Sequence, residues 1–408
     1  MSDVQKELPK VSKGYLVFLV ILMGLVSQMD SWLSLIETKA VPGILSQFAV
    51  SASEFAFLQG IFGIIVFGVF FIAWFADSAG RKAGMMTLVL VMGIPAILIV
   101  FFSVNIYVFL LLYSVIIMGT TSNLWEVPIS EEAPAKRRGL LGSIAFLIGV
   151  IPLYAVVGSG IIDKYGWQWG YGVMFFLMVV LMVLLIFMKN PQRWKNVAEA
   201  REERLGVIAA LRKLKKEDGK YIAIATVVYL AWTISFKMAS TFGGYYFTQV
   251  LSYSDEQFNS ILTIAGLLLP VSAIISGFLL DKVGRNFVLI VGSAGAIACF
   301  ILLGTTQIPA FYQAVYFFMA MVLAWIYVYL SEIFATEVRT TSIGVCVTGA
   351  RLGYVVGPLL ASLLTTRFPS MGGFWIVGGI LMVAPLLTLF AKPFETKGKT
   401  LEDIESER

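Results

Sequence analysis

A ten-residue stretch occurs twice in this chain, and its repetition constrains the fold more than any other feature. Near the start the sequence reads Ala73-Trp74-Phe75-Ala76-Asp77-Ser78-Ala79-Gly80-Arg81-Lys82, and further on Gly277-Phe278-Leu279-Leu280-Asp281-Lys282-Val283-Gly284-Arg285-Asn286. Each copy joins two long apolar runs through a polar turn built as Asp-x-x-Gly-Arg. So tight a reversal uses Gly for backbone angles closed to other residues. The Asp can accept hydrogen bonds at a helix end, and the Arg can pair with carboxylates on a neighbouring segment. A second pair of turns repeats as well: Ser130-Glu131 leads to Arg138, and Ser331-Glu332 leads to Arg339. Two different signals repeating at about 200 residues mark a duplicated membrane domain.

Composition agrees. Of 408 residues, 59% are hydrophobic and 13% charged, and mean hydropathy is +0.87; soluble domains carry about 25% charged residues. Most of the chain therefore belongs in lipid. Apolar runs of span length, about 20 residues, fall at 14–36, 54–76, 84–103, 106–130, 139–162, 168–188, 221–248, 257–280, 286–304, 309–333, 340–364 and 371–391. The expectation is an all-α membrane protein with twelve transmembrane helices in two pseudo-symmetric six-helix bundles. The polar, strongly basic stretch 189–220 divides the chain into a first bundle (1–188), a linker with an amphipathic pattern, and a second bundle with a C-terminal tail (221–408).

Cytoplasmic loops carry the excess of Lys and Arg. With the N-terminus inside, 25 of the 30 basic residues fall on that side, and only Lys39, Lys164 and Arg367 on the other. Both termini, and all the repeated turns, are thus expected in the cytoplasm. The outer loops are too short for a folded domain, and Trp32, Trp167, Trp169 and Trp375 near span ends read as interfacial anchors. No cleavable leader is expected, because residues 1–13 are polar and the first apolar run has full span length.

Several chemistries are excluded. Histidine is absent, so proton transfer near neutral pH falls to carboxylates. Cys299 and Cys346 lie inside apolar runs, which supports neither a disulfide nor a metal site. No cofactor is implied. The basic residues flank membrane spans rather than forming one soluble face, so nucleic acid is not a partner. Gly398-Lys399-Thr400 lacks the earlier Gly of a phosphate loop, since Pro393 stands there, and no nucleophile-elbow or paired-histidine motif occurs; an enzyme is not expected.

Ionisable residues inside spans cost about 2.5–3.5 kcal/mol each on insertion scales, so each asks for a reason. Ser27, Asp30, Ser34 and Glu37 recur at spacings of three and four, on one helix face. That face should turn to a water-filled cavity, where Asp30 can carry a proton; its alternative is a fixed ion pair. Glu37 lies further out and reads as solvated, with a smaller claim to the same role. Glu126, in the inner third of span 4, either faces the cavity or joins the cytoplasmic charges. Lys237 in span 7 either helps hold an anion or snorkels outward. Arg351 falls near the middle of span 11, among Gly349, Ala350 and Gly353. A guanidinium there can clamp a carboxylate or phosphate through two parallel hydrogen bonds; its alternative is a salt bridge to Asp30 or Glu126. Trp325, Tyr327 and Tyr245 are candidates to contact a substrate ring. On the cytoplasmic side, Asp77, Arg81, Glu131 and Arg138 form one set and Asp281, Arg285, Glu332 and Arg339 another. Such sets can latch helix ends while the inner side is shut and part when it opens.

At these residues the chain resembles the major facilitator superfamily, and within it the sugar-porter-like group. The Asp-x-x-Gly-Arg turns resemble that family's loop signature, with Ala73 where Gly is usual. Ser130-Glu131-Glu132-Ala133-Pro134 with Arg138-Gly139, Tyr329-Leu330-Ser331-Glu332 with Arg339, Gly166-Trp167-Gln168-Trp169 and Pro191-Gln192-Arg193-Trp194 resemble the group's further motifs. Phe394-Glu395-Thr396-Lys397-Gly398 is similar to its C-terminal signature. The resemblance covers the whole chain and implies alternating access. It departs at the substrate positions. The paired Gln of sugar porters in span 7 corresponds to Ser235 and Phe236, and the Arg that proton-coupled members set against the span 1 Asp corresponds to about Leu111. Ala350-Arg351-Leu352-Gly353 is instead similar to the span 11 Arg of organic-anion and aromatic-acid:proton carriers.

The reading is therefore a secondary transporter, probing lipid, proton and one small anionic solute as partners, acting as a monomer in a prokaryotic plasma membrane. Arg351 with Lys237 would hold a carboxylate, and Asp30 would carry the driving proton. A sugar or polyol carrier is the alternative, with a drug exporter or a channel behind it.

Overall fold

Backbone polar groups in hydrocarbon must be satisfied within their own segment, so apolar runs of this length become helices. The structure is a computed structural model that describes residues 12–122, 124–133, 138–191, 216–334, 339–399 and 401–407. The first bundle contains α1 (Lys13–Leu35), α2 (Ala52–Ala79), α3 (Arg81–Phe102), α4 (Ile106–Thr120), α5 (Leu141–Tyr165) and α6 (Trp167–Ile186). The second contains α7 (Asp218–Val250), α8 (Asp255–Lys282), α9 (Arg285–Thr306), α10 (Pro309–Ile333), α11 (Ser342–Arg367) and α12 (Gly372–Ala391). All but α4 are long and apolar enough to cross a membrane; α4 is shorter. The linker expected at 189–220 lies largely outside the described residues.

The two halves repeat one packing scheme. In the first, α1 packs on α5, α3 on α4, and α3 on α6; in the second, α7 packs on α11, α9 on α10, and α9 on α12. The halves meet where α2 lies against α11 and where Glu37–Phe48, a helix continuing α1, lies against α7. The α2–α11 approach is close enough to need Gly63: a Cβ there would stand 2.3 Å from the Tyr354 carbonyl oxygen.

Several helices are interrupted where the sequence led us to expect continuous spans. The first instead runs past its expected end at 36, continuing through Ile36 as Glu37–Phe48. The fourth ends at Thr120 and resumes as Glu126–Glu132. The eleventh breaks at Leu352. Pro128, Pro152 and Pro385 follow interruptions of α4, α5 and α12 within a few residues, each removing an i→i−4 hydrogen bond. The tryptophans also differ from expectation. Trp32, Trp167 and Trp375 are buried between helices rather than placed as interfacial anchors. Trp32 donates its indole N–H to the Gly170 carbonyl at 2.7 Å.

The repeated turns close in the same way in each half. Gly80 (φ 109°) and Gly284 (φ 138°) occupy backbone conformations that side chains disfavour. Arg81 Nη2 donates to Glu131 Oε1 at 2.7 Å and Nε at 3.0 Å, and Nη1 pairs with Asp77. Arg285 Nη2 donates to Glu332 Oε1 at 2.8 Å, and Nη1 to the Leu280 carbonyl at 2.7 Å; Asp281 is further away at 3.5 Å. Glu395, from the C-terminal signature, accepts from the backbone N–H groups of Arg285 and Asn286, both at 2.9 Å. The side chains of Arg138 and Arg339 lie outside the described residues.

Candidate functional site

Between the halves lies a cavity of about 220 Å³. Its wall is built from the middle of α1, α7, α8, α10 and α11, the end of α4 and the start of α5. The bonds that join the halves cluster beyond it, at the face opposite the repeated turns. Lys39, with a side chain 3% exposed, binds Asp163 of its own half at 2.9 Å and Asp255 of the other half at 2.6 Å. Ser53 donates to the Ser362 carbonyl at 2.9 Å, and Asn259 to Asp163 at 2.7 Å. These bonds close the far face, and the wall of the cavity reaches towards the face carrying the turns at Trp125, Phe146 and Val347. Among the described residues the bonds of Arg81 and of Arg285 each stay within one half.

Asp30 sits in the wall with Ser27, Ser31 and Ser34, as the spacing on α1 indicated. Its carboxylate accepts from Ser34 Oγ at 3.3 Å. Among the described residues it forms no ion pair.

Glu37 departs from expectation. Rather than being solvated, it is 1% exposed and sealed above the cavity. Its carboxylate forms an ion pair with Lys237 across the two halves. Gln59 and Thr241 also donate to it, Thr241 at 3.1 Å, and Lys237 donates to the Tyr113 hydroxyl at 2.7 Å. Lys237 therefore neither snorkels outward nor keeps its ammonium free for a solute, although part of it reaches the wall. One buried charge has been met by another, which is the only inexpensive arrangement in such a place.

Arg351 lines the cavity, and neither of the salt bridges considered for it is present among the described residues. Nη2 donates to the Thr121 carbonyl at 3.0 Å, across the two halves, and Nε is buried without an acceptor. The carbonyl is available because α4 stops at Thr120, and the last carbonyls of a helix have no partner within it. Glu126 heads the short helix after that break, exposed and outside the wall.

Of the aromatic candidates, Tyr327 lines the cavity, but Trp325 and Tyr245 do not. Trp325 is fully buried and stacked on Tyr329 with ring centroids 4.4 Å apart; two residues along a helix turn a side chain by about 200°, so the neighbours cannot share a face. Sequence reasoning missed Trp125, Trp232, Phe236, Tyr229 and Tyr354, all in the wall. Trp232 and Phe236 are four apart and stack at 5.0 Å, a spacing that could have drawn attention to them.

A doubled six-helix unit with a central cavity between halves, sealed at one face, defines a membrane carrier working by alternating access. The chain belongs to the major facilitator superfamily, whose family model matches residues 20–327; it is a transporter and not an enzyme. Within the superfamily it falls among sugar-porter-like members. It is 26% identical to a glucose transporter of Staphylococcus epidermidis over 81% of this chain and 83% of that one. It is also 26% identical to a galactose-proton symporter of Escherichia coli, over 99% of this chain and 97% of that one. An inward-open structure of the xylose transporter of Escherichia coli shares the fold, with a TM-score of 0.77 and 18% identity, covering 96% of this chain and 99% of that chain.

Proposed function

We propose that this chain carries a monosaccharide or a closely related polyol across the bacterial cytoplasmic membrane together with a proton. The main support is that full-length relatives named for sugars share its architecture. That likeness moves the reading away from a general organic anion, which the residues of α11 had suggested, to the polyol alternative. The wall agrees with it: Ser27, Ser31, Ser34 and Thr120 offer hydroxyls, while Trp232 and Tyr327 offer flat apolar faces. Asp30 is the proton carrier in this reading, because it is the carboxylate in the wall. The excess of basic residues in the loops supports both termini in the cytoplasm, and the bonds joining the halves on the opposite face support an inward-facing state.

Purified protein in liposomes, given an inward-directed pH gradient and radiolabelled glucose, galactose, xylose or sugar derivatives, tests the proposal. Saturable accumulation that a protonophore abolishes is the expected result. Accumulation of none of these solutes, by protein that remains folded, would refute it.

A further inference from the structure

The cavity has an unmatched charge. Arg351 offers five N–H donors, yet its described hydrogen bond uses only Nη2, on a neutral carbonyl. Nε is buried with no acceptor, and no carboxylate lies within ion-pair distance among the described residues. A guanidinium is always protonated, and leaving it unpaired in a membrane interior is costly. Lys237 has Glu37; Asp30, which forms no ion pair among the described residues either, accepts from Ser34. Among the described residues of the wall, hydroxyls from Ser, Thr and Tyr can serve a polyol, but none of them supplies a charge. Its strongest unspent recognition group is a fork shaped for a carboxylate.

Resting on the polyol reading above, we infer that the substrate is a sugar acid: a polyol whose carboxylate docks on Arg351 while its hydroxyls meet the Ser and Thr side chains of α1 and α4. The break in α4 serves this role. It supplies the Thr121 carbonyl that holds one arm of the fork, while Nε has no acceptor.

The test compares radiolabelled D-glucuronate and D-gluconate with D-glucose, D-xylose and L-lactate in liposomes containing the full chain, under one pH gradient. Glucuronate or gluconate should be taken up at least tenfold faster than either neutral sugar and than lactate. Arg351→Gln should lower sugar-acid uptake on the order of 100-fold, since a buried ionic contact is worth about two or three decades. Arg351→Lys should recover only part of it, because a point charge cannot replace the fork. Thermal unfolding of each variant establishes that it is folded; should Arg351→Gln fail to fold, competition of glucuronate against glucose in the unaltered protein decides alone. Neutral sugars carried as well as or better than the acids would overturn the inference and leave the polyol proposal standing. Lactate preferred to both would overturn the inference and the polyol proposal together, as would uptake of none of the five.

Discussion

Replacing Lys237 by Met should release the far face of the carrier. Lys237 and Glu37 stand on opposite halves, and their ion pair is among the most buried bonds joining them. Removing one partner of a buried pair costs about 3–5 kcal/mol, because the other charge is left uncompensated. Gln59 and Thr241 still donate to Glu37, which places the cost at the low end, about 3 kcal/mol. That cost applies only while the far face is shut; once the halves part there, water reaches the carboxylate. The ratio of far-closed to far-open molecules should then fall on the order of 100-fold, at about 1.4 kcal/mol per decade. Spin labels at Val104 and Ser370, which are exposed at far-face turns of opposite halves, report the change as a longer distance distribution by double electron–electron resonance, after Cys299 and Cys346 are replaced by Ala. Glu37→Gln together with Lys237→Met removes the stranded charge and should return part of the population to the short distance. An unchanged distribution in folded Lys237→Met protein would mean that the pair does not hold the halves together.

Three further outcomes follow from the same geometry. Asp30→Asn should abolish accumulation driven by a pH gradient while leaving exchange of labelled for unlabelled solute measurable; full accumulation by the variant would remove Asp30 from coupling. Lys39→Ala should open the far face less than Lys237→Met does, by roughly fivefold in population, since its partners Asp163 and Asp255 are 35% and 70% exposed and such pairs are worth about 1 kcal/mol; the same label pair measures it. Gly63→Val should reduce transport at least tenfold with little change in membrane insertion, because its side chain meets the Tyr354 carbonyl and keeps α2 from closing on α11; normal uptake would show that the close approach is dispensable.

The fold was legible because its determinants are local or repeated. Apolar runs, basic loops and Asp-x-x-Gly-Arg turns each act within a few dozen residues, and each appears in both halves. The helix breaks were harder to read. Pro128 signals the interruption of α4 only weakly, since a proline near a helix end serves equally well as a terminus. The junction at Ile36 has no proline within five residues before or after it. Ile36 keeps helical angles, and Glu37, beyond the cavity-lining Ser34, lies in the seam with α7. Spacing placed Asp30 and Ser34 together and put Glu37 with them; it could not show that Lys237, 200 residues away, would meet Glu37.

Symmetry separates what the two kinds of residue do. The Arg81 and Arg285 clusters occupy equivalent places, and among the described residues the bonds of each arginine stay within one half. The charges around the cavity have no such counterparts: Asp30 stands on α1 and Lys237 on its repeat α7, opposite in sign, and Arg351 on α11 has no basic residue in the lower part of α5 that lines the wall. A duplicated chain begins with identical halves, and a substrate that is itself asymmetric can be gripped only where the halves have diverged. The proposals above assign solute and proton to residues that break the repeat inside the membrane, and of these Arg351 has a buried Nε with no acceptor among the described residues.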